Sequence, residues 1–497
     1  MDLYLQGHDY CYAVEQTMMV LFPGQLPRYP QGEPGQENVP WALVRLERAP
    51  DRLEAQATLW WQGRWHTASC QADPRECTDP LSTRRVEQRV VRLAFYDAGV
   101  QALGTAPPWG ALTGVRPVKL PTRMLAAGAG QDGALSALIQ QYRVRPDRAQ
   151  LALTCAQAAL EVRQSLPRDE LSLYLGIPFC PTRCAYCSFI SSDVRGTLAL
   201  VEPYVDALCQ EIALAGSLLS GAGLRLSTVY MGGGTPTTLS AGQLDRVLAA
   251  ARQHLPMDRC REFTVEAGRP DTITGDKLRV LRAHGVQRIS INPQTMDDSI
   301  LCTLNRGHTA DEIRQAMALA EDQFGGLVNM DLIAGLPGDS PDGFAHTLEQ
   351  VLALSPANLT VHTLAVKKGA RLREASGGLC APEAVAQMLL AAQERLSAAG
   401  YQPYYLYRQK YMSGSFENVG WCLPGTRCDY NVLMMEELQT VLALGAGGIT
   451  KLVSPDTGRI TRLSNPKYPK EYLAGGDRLE AHLRQAVDFQ RRLAQGG

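Results

Sequence analysis

From about residue 171 the chain alternates short apolar runs with longer amphipathic stretches, and this regularity limits the folds open to it more than any other feature. Residues 171–177, 226–231, 262–266, 287–291, 327–333 and 358–364 each read as a buried parallel strand, because near-continuous apolar runs suit strands covered on both faces. Between them, residues 203–219, 242–253, 275–284, 310–321 and 342–354 carry helical patterning. Six βα units result, with strand-to-strand spacings of roughly 25 to 55 residues that leave room for helical crossovers. The expected class is α/β, as an open or partial (β/α)6 barrel, with a doubly wound sheet as the rival. In either, chemistry gathers in the loops at the C-terminal ends of the strands.

The flanks pattern differently. Residues 1–165 show a strand at 2–6, an apolar helix near 10–21, a hairpin through 41–65 and helices near 86–102 and 147–166. The expected division is an N-terminal α+β domain at 1–165, the barrel at 166–375 and a C-terminal α+β extension covering the site at 376–497. The extension should hold a helix at 381–399, an aromatic strand at 401–408 and two further helices. With 45% hydrophobic and 20% charged residues in 497, disorder is excluded as the main state. Lys and Arg (49) nearly cancel Asp and Glu (50), so no protein-wide positive field serves nucleic acid or an anionic membrane. The longest charge-free stretches, 98–115 and 226–244, are broken by Gly and Pro, and no membrane span is expected. The opening Met-Asp-Leu-Tyr lacks the basic and apolar segments of a secretory signal, which predicts a cytoplasmic protein. Thirteen cysteines at this density then argue for thiols and a metal rather than a disulfide framework.

Directly after the first strand comes Cys180-Pro-Thr-Arg-Cys184-Ala-Tyr-Cys187. Three thiolates at these spacings can hold three corners of a cubane iron-sulfur cluster and leave one iron open to a ligand. A chain of this cysteine content would show about 0.01 such triplets by chance. A structural zinc site would want a fourth Cys or His, and none stands between Ile190 and Pro203. The second strand ends in Gly232-Gly233-Gly234-Thr235-Pro236, which either lets backbone approach a charged ligand or simply turns the chain. Glu266 and Asp331 place carboxylates on the same rim, and Gln294 and Arg306 add an amide and a guanidinium that suit a carboxylate ligand.

These residues resemble the radical S-adenosylmethionine (SAM) enzymes: Tyr174-x-x-Ile-Pro-Phe-Cys with the cysteine triplet, Gly-Gly-Gly-Thr-Pro, Glu266 and the run Asp331 to Pro337. More narrowly they resemble the oxygen-independent coproporphyrinogen III oxidase group, and the run from Tyr407 to Gly414 is similar to its coproporphyrinogen dehydrogenase (HemZ-type) branch. The resemblance implies that Cys180, Cys184 and Cys187 ligate a [4Fe-4S] cluster whose fourth iron takes SAM. It places Tyr174, Gly234, Glu266, Gln294, Arg306, Asp331 and Ala365 against SAM, and Tyr186, Gly233 and Thr235 near a possible second SAM. It implies reduction by a donor such as flavodoxin or ferredoxin, cleavage of SAM to a 5′-deoxyadenosyl radical, and oxidative decarboxylation of coproporphyrinogen III to protoporphyrinogen IX in haem biosynthesis. A monomer is expected. Two positions depart from the oxidases: Phe189 stands where they carry a further Cys, and Gly176 where they carry His. The Phe pattern is shared with haem-chaperone relatives, so a haem-binding chaperone is the alternative, and a radical SAM methylase or other tailoring enzyme a third.

Other residues stay open. His308 and His362 suit proton carriers, haem ligands or satisfied structural histidines. Cys422 and Cys428 suit a thiol pair or two metal ligands, the tyrosines of 401–411 a tetrapyrrole face or an aromatic edge strand, and Gly445 to Gly448 an active-site cap or a helix end. Arg306, Arg408 and Lys410 are candidate partners for propionates.

Overall fold

The computed structural model describes residues 1–34, 39–187, 192–365, 379–409 and 416–496. Phe189, Lys410, the run to Gly414 and the expected boundary at 375/376 lie outside the described residues. The chain divides into one compact unit of Met1–Leu153 and a larger one that begins at Thr154 and holds the barrel and its extension.

The first unit is a four-stranded sheet in the order β1 (Asp2–Gln6), β2 (Trp41–Arg48), β3 (Leu53–Trp61), β4 (Arg64–Ala72). The strand β1 runs parallel to β2 and the rest form an antiparallel meander, so the expected hairpin continues into a third strand. Helices Cys11–Leu21 and Pro80–Leu103 bury Val14, Met18, Val91 and Phe95 with Leu3, Val44 and Leu59 of the sheet. The second helix starts earlier than its apolar pattern suggests, because Asp79 caps it and Pro80 sits where no N–H is needed.

In the second unit β5 (Glu170–Ile177) leads to the two-residue pair β6 (Phe179–Cys180) and β7 (Ser192–Asp193). Then come β8 (Arg225–Gly233), β9 (Glu262–Gly268), β10 (Arg288–Ile291), β11 (Leu327–Ala334) and β12 (Asn358–Thr363). Strands β5, β8, β9, β10, β11 and β12 are parallel neighbours in chain order. Strand order never reverses, which excludes the doubly wound alternative, and the sheet does not close on itself: it is the partial (β/α)6 barrel. The crossover helices are held by local signals such as the capping boxes Ser240/Gln243 and Thr309/Glu312. The first crossover helix starts at Val194, ahead of the expected Pro203, and is kinked at Thr197.

The later strands extend this sheet at both edges. Antiparallel β14 (Glu417–Cys422) lies between β12 and β13 (Gln402–Arg408). At the other edge β15 (Val441–Leu444) runs parallel to β5 and leads into antiparallel β16 (Ile449–Val453) and β17 (Ile460–Ser464). Gly176, on β5, fits only without a side chain: a Cβ there would stand 2.9 Å from the Ala446 carbonyl oxygen beside β15. Gly445 to Gly448 is therefore neither a cap over the cavity nor a helix end but the turn from β15 to β16.

The short helix Asp429–Glu436 packs against the inner face of the barrel strands. Glu262 at the start of β9 accepts from the Asp429 and Tyr430 N–H groups and the Cys428 thiol, and Tyr430 stacks on Tyr230 at 4.5 Å. Cys428 and Cys422 are thus buried structural thiols.

Candidate active site

The loops at the C-terminal strand ends enclose a cavity of about 390 Å³. Every residue proposed from the sequence as a ligand of cluster or SAM lines it, except Tyr174. Tyr174 stacks behind Tyr230, and its hydroxyl lies 3.2 Å from where a Gly233 Cβ would stand. A more open groove of about 680 Å³ in the first unit, beside Asp9 and Arg84, holds none of these residues.

At one end of the cavity stand the half-buried thiols of Cys180, Cys184 and Cys187. Among the described residues no three His, Cys, Asp or Glu side chains converge on a single ion. The cysteine loop is pinned from the end of β9 and from the segment that follows the helix Asp298–Thr303. Arg269, buried after β9 and paired with Asp271 at 2.8 Å, donates to the Thr182 hydroxyl at 2.6 Å and its carbonyl at 3.2 Å. Leu304 accepts from the Ala185 N–H at 3.0 Å, and Asn305, in the left-handed region at φ 56°, donates to the Arg183 carbonyl at 2.9 Å.

The glycine loop is packed against this end. A Cβ on Gly234 would lie 2.5 Å from the Phe179 carbonyl oxygen and 3.0 Å from the Cys180 sulfur, and one on Gly232 would lie 2.8 Å from the Glu266 carboxylate. The Thr235 hydroxyl donates to the Cys180 sulfur at 3.6 Å, an arrangement suited to a thiolate. Glu266 accepts from the Tyr230 hydroxyl at 2.7 Å and the Gly233 N–H at 3.3 Å; burial pushes its carboxyl up to about 7 against the pull of both bonds.

Arg306 donates to the Asn292 carbonyl and the Tyr186 hydroxyl, and burial pushes the Tyr186 phenol up. Gln294 sits in the left-handed region at φ 70° and exchanges backbone bonds with Asp331 and Ile333 of β11. The buried Arg306 Nε, Ser290 Oγ and Asn292 Oδ1 have no partner among the described residues and belong to cavity-lining residues. Polar atoms left in this state are costly unless a ligand or water meets them, so the site fits a polar cofactor such as SAM.

The opposite wall comes from β12, β13, β14 and the helix Asp429–Glu436: His362, Tyr405, Tyr407, Asn418, Asn431 and Met435. Tyr405 and Tyr407 lie parallel at 6.4 Å. Strand alternation turns Arg408, between Tyr407 and Gln409, away from the cavity; burial lowers its guanidinium to about 10 despite Glu417. His308 does not line the cavity either, and burial with Arg306 beside it holds its imidazole down at about 4. Sequence reasoning passed over Tyr230, Ser290, Asn329, Asn418 and Asn431. The usable signal for the strand residues was a lone polar side chain inside an apolar run, as Ser290 in Arg-Ile-Ser-Ile.

Comparison with known proteins decides the family. The radical SAM superfamily model matches residues 174–351. The oxygen-independent coproporphyrinogen-III oxidase-like protein HemZ of Bacillus subtilis is 38% identical over 78% of this chain and 77% of its own length. This chain belongs to the radical SAM superfamily, in the HemZ-like oxygen-independent coproporphyrinogen III oxidase group. The heme chaperone HemW of Escherichia coli is 30% identical over 61% of this radical SAM chain and 76% of its own. The solved radical SAM enzyme HemN, coproporphyrinogen III oxidase of Escherichia coli, is 27% identical with a TM-score of 0.51, covering 65% of this chain and 72% of that one. Membership implies a [4Fe-4S] cluster and SAM as the cofactors of this radical SAM protein. Among the described residues no helix is long and apolar enough to cross a membrane.

Proposed function

We propose that the chain carries out the oxygen-independent oxidative decarboxylation of coproporphyrinogen III to protoporphyrinogen IX. The observation that supports this most is one cavity with two unlike ends: three thiols and a glycine loop at one, and a tyrosine and amide wall at the other. Cys180, Cys184 and Cys187 hold the cluster; Glu266, Asp331, Gln294, Arg306, Gly233, Gly234, Thr235, Tyr186 and Ala365 line the SAM site, and Tyr174 supports it from behind. When bound, cluster and SAM would supply an electron and a 5′-deoxyadenosyl radical for hydrogen abstraction from a propionate side chain; loss of CO₂, with one electron passing to an external one-electron acceptor, would leave a vinyl group, and a second round would give the second. The electron that reduces the cluster comes from a low-potential donor such as flavodoxin or ferredoxin.

The protein's own contribution is placement and shielding. Arg269 and Asn305 hold the cysteine loop, the Thr235 hydroxyl lies on the Cys180 sulfur, and the parallel rings of Tyr405 and Tyr407 offer a flat tetrapyrrole an aromatic surface. Anaerobic incubation of the reconstituted protein with SAM, reductant and coproporphyrinogen III should give vinyl products by mass spectrometry. Formation of 5′-deoxyadenosine with the porphyrinogen unchanged would reject the assignment.

A second reading, a haem-binding chaperone of the same superfamily, draws on the 30% identity to HemW and on Phe189. Stoichiometric haem binding with a Soret band and no decarboxylation would favour it.

A further inference from the structure

On the far wall of the cavity His362 stands near the end of β12 with its side chain 26% exposed. Its Nε2 lies 3.8 Å from the Asp331 carboxylate and its Nδ1 3.5 Å from the Tyr407 hydroxyl, which in turn lies 3.5 Å from the Gln409 amide nitrogen. Both contacts of the ring are longer than a good hydrogen bond, so a third group can enter between imidazole and phenol without breaking a strong pair. The arginines that line the cavity stand on segments other than β12 to β14. Arg269 is bound to Asp271 and Thr182, Arg306 to Asn292 and Tyr186, and Arg183 belongs to the cysteine loop. On the wall built by β12 to β14, His362 is the one side chain among the described lining residues able to carry a positive charge.

We infer that His362 and Tyr407 form a carboxylate-anchoring subsite, which grips an acidic side chain of the ligand beside Asp331 and so beside the SAM end of the cavity. This rests on the reading of the ligand as a tetrapyrrole carboxylic acid. The ring N–H and the phenol O–H converge on one ionised acceptor, and bonds to an ionised acceptor are roughly twice as strong as neutral ones. Asp331 orients the ring, as a carboxylate behind a histidine does in many sites. Holding the carboxylate here fixes the adjacent methylenes, which is where positional control of hydrogen abstraction is needed.

The test is fluorescence titration of the full chain with two probes: coproporphyrin III, the oxidised tetra-acid that is not turned over, and its tetramethyl ester, which keeps the ring but not the charges. His362→Leu should weaken binding of the acid by about 10- to 100-fold and leave the ester unchanged; His362→Gln, which keeps a donor, should recover part of the loss, and Tyr407→Phe should lose about threefold to tenfold. Circular dichroism and iron content of each variant check that fold and cluster are intact. Equal losses for acid and ester, an unchanged acid affinity, or a wild-type chain that does not bind the acid would overturn the subsite. Wild-type binding with this pattern but no vinyl product leaves the subsite standing and removes the decarboxylase assignment, so the two failures are separable.

Discussion

The two ends of the cavity are built in opposite ways. The cysteine end comes from residues adjacent in the chain, Cys180 to Cys187 and Gly232 to Thr235, braced by short loops after neighbouring strands. The far wall comes from side chains as distant as His362, Asn418 and Met435, brought together because β14 pairs with β12 and β13. The difference teaches that the cofactor end is a set of local motifs on a barrel rim, whereas the ligand end exists only once the sheet has been extended. Damage to one end should leave the other working.

The largest test of that independence is Cys184→Ala. It should abolish the brown iron-sulfur chromophore and SAM cleavage while coproporphyrin binding to the far wall persists. An iron content equal to wild type would contradict the ligand assignment. The reciprocal change is Asn418→Ala. Asn418 accepts from the Thr363 N–H at 2.8 Å in a fully buried setting, and removing it leaves that donor unpaired at a cost of about 1–3 kcal/mol. Thermal unfolding should show the loss, and porphyrin affinity should fall about tenfold with iron content normal; a parallel loss of iron would mean that the two ends are coupled. Arg269→Gln is milder: without the guanidinium the Thr182 contacts go, and iron retained after desalting should fall about threefold, with the far wall indifferent.

The same contrast governs what was legible in the sequence. The six barrel strands stood out because each is an apolar run buried on both faces, such as Leu171 to Ile177, and the cysteine and glycine loops because their residues are contiguous. Strands β14 to β17 carried no comparable signal. Glu417–Cys422 and Ile449–Val453 are short, and their pairing, Asn358 with Cys422 for instance, is not encoded in any local period. Tyr174 was expected in the cavity because its motif is local, yet it lies behind Tyr230, its in-register neighbour on β8, and the second tyrosine takes the cavity position. Gly445 to Gly448 looked like a helix end or a cap because glycine clusters mark turns without saying what they join.

The smallest effect concerns the cofactor end without its cofactor. Burial raises the Glu266 carboxyl to about 7 in the folded chain, against about 4.5 when unfolded. Between those values the unfolded chain releases the proton while the folded one keeps it, so folding stability falls as pH rises from about 4.5 to about 7 and is level above. The full shift corresponds to at most about 3 kcal/mol, and cavity solvent reduces it to about 1–2 kcal/mol. In calorimetry of the apo chain, Glu266→Gln should flatten this fall, because an amide has no proton to hold. SAM should restore the difference between variant and wild type in the opposite sense, since the carboxylate accepts hydrogen bonds from ribose hydroxyls or an amine more strongly than an amide does. An apo chain whose pH dependence is the same with Gln at 266 would mean that the carboxylate is solvated before the cofactor arrives, and that the dry pocket at this end is made by the ligand rather than by the fold.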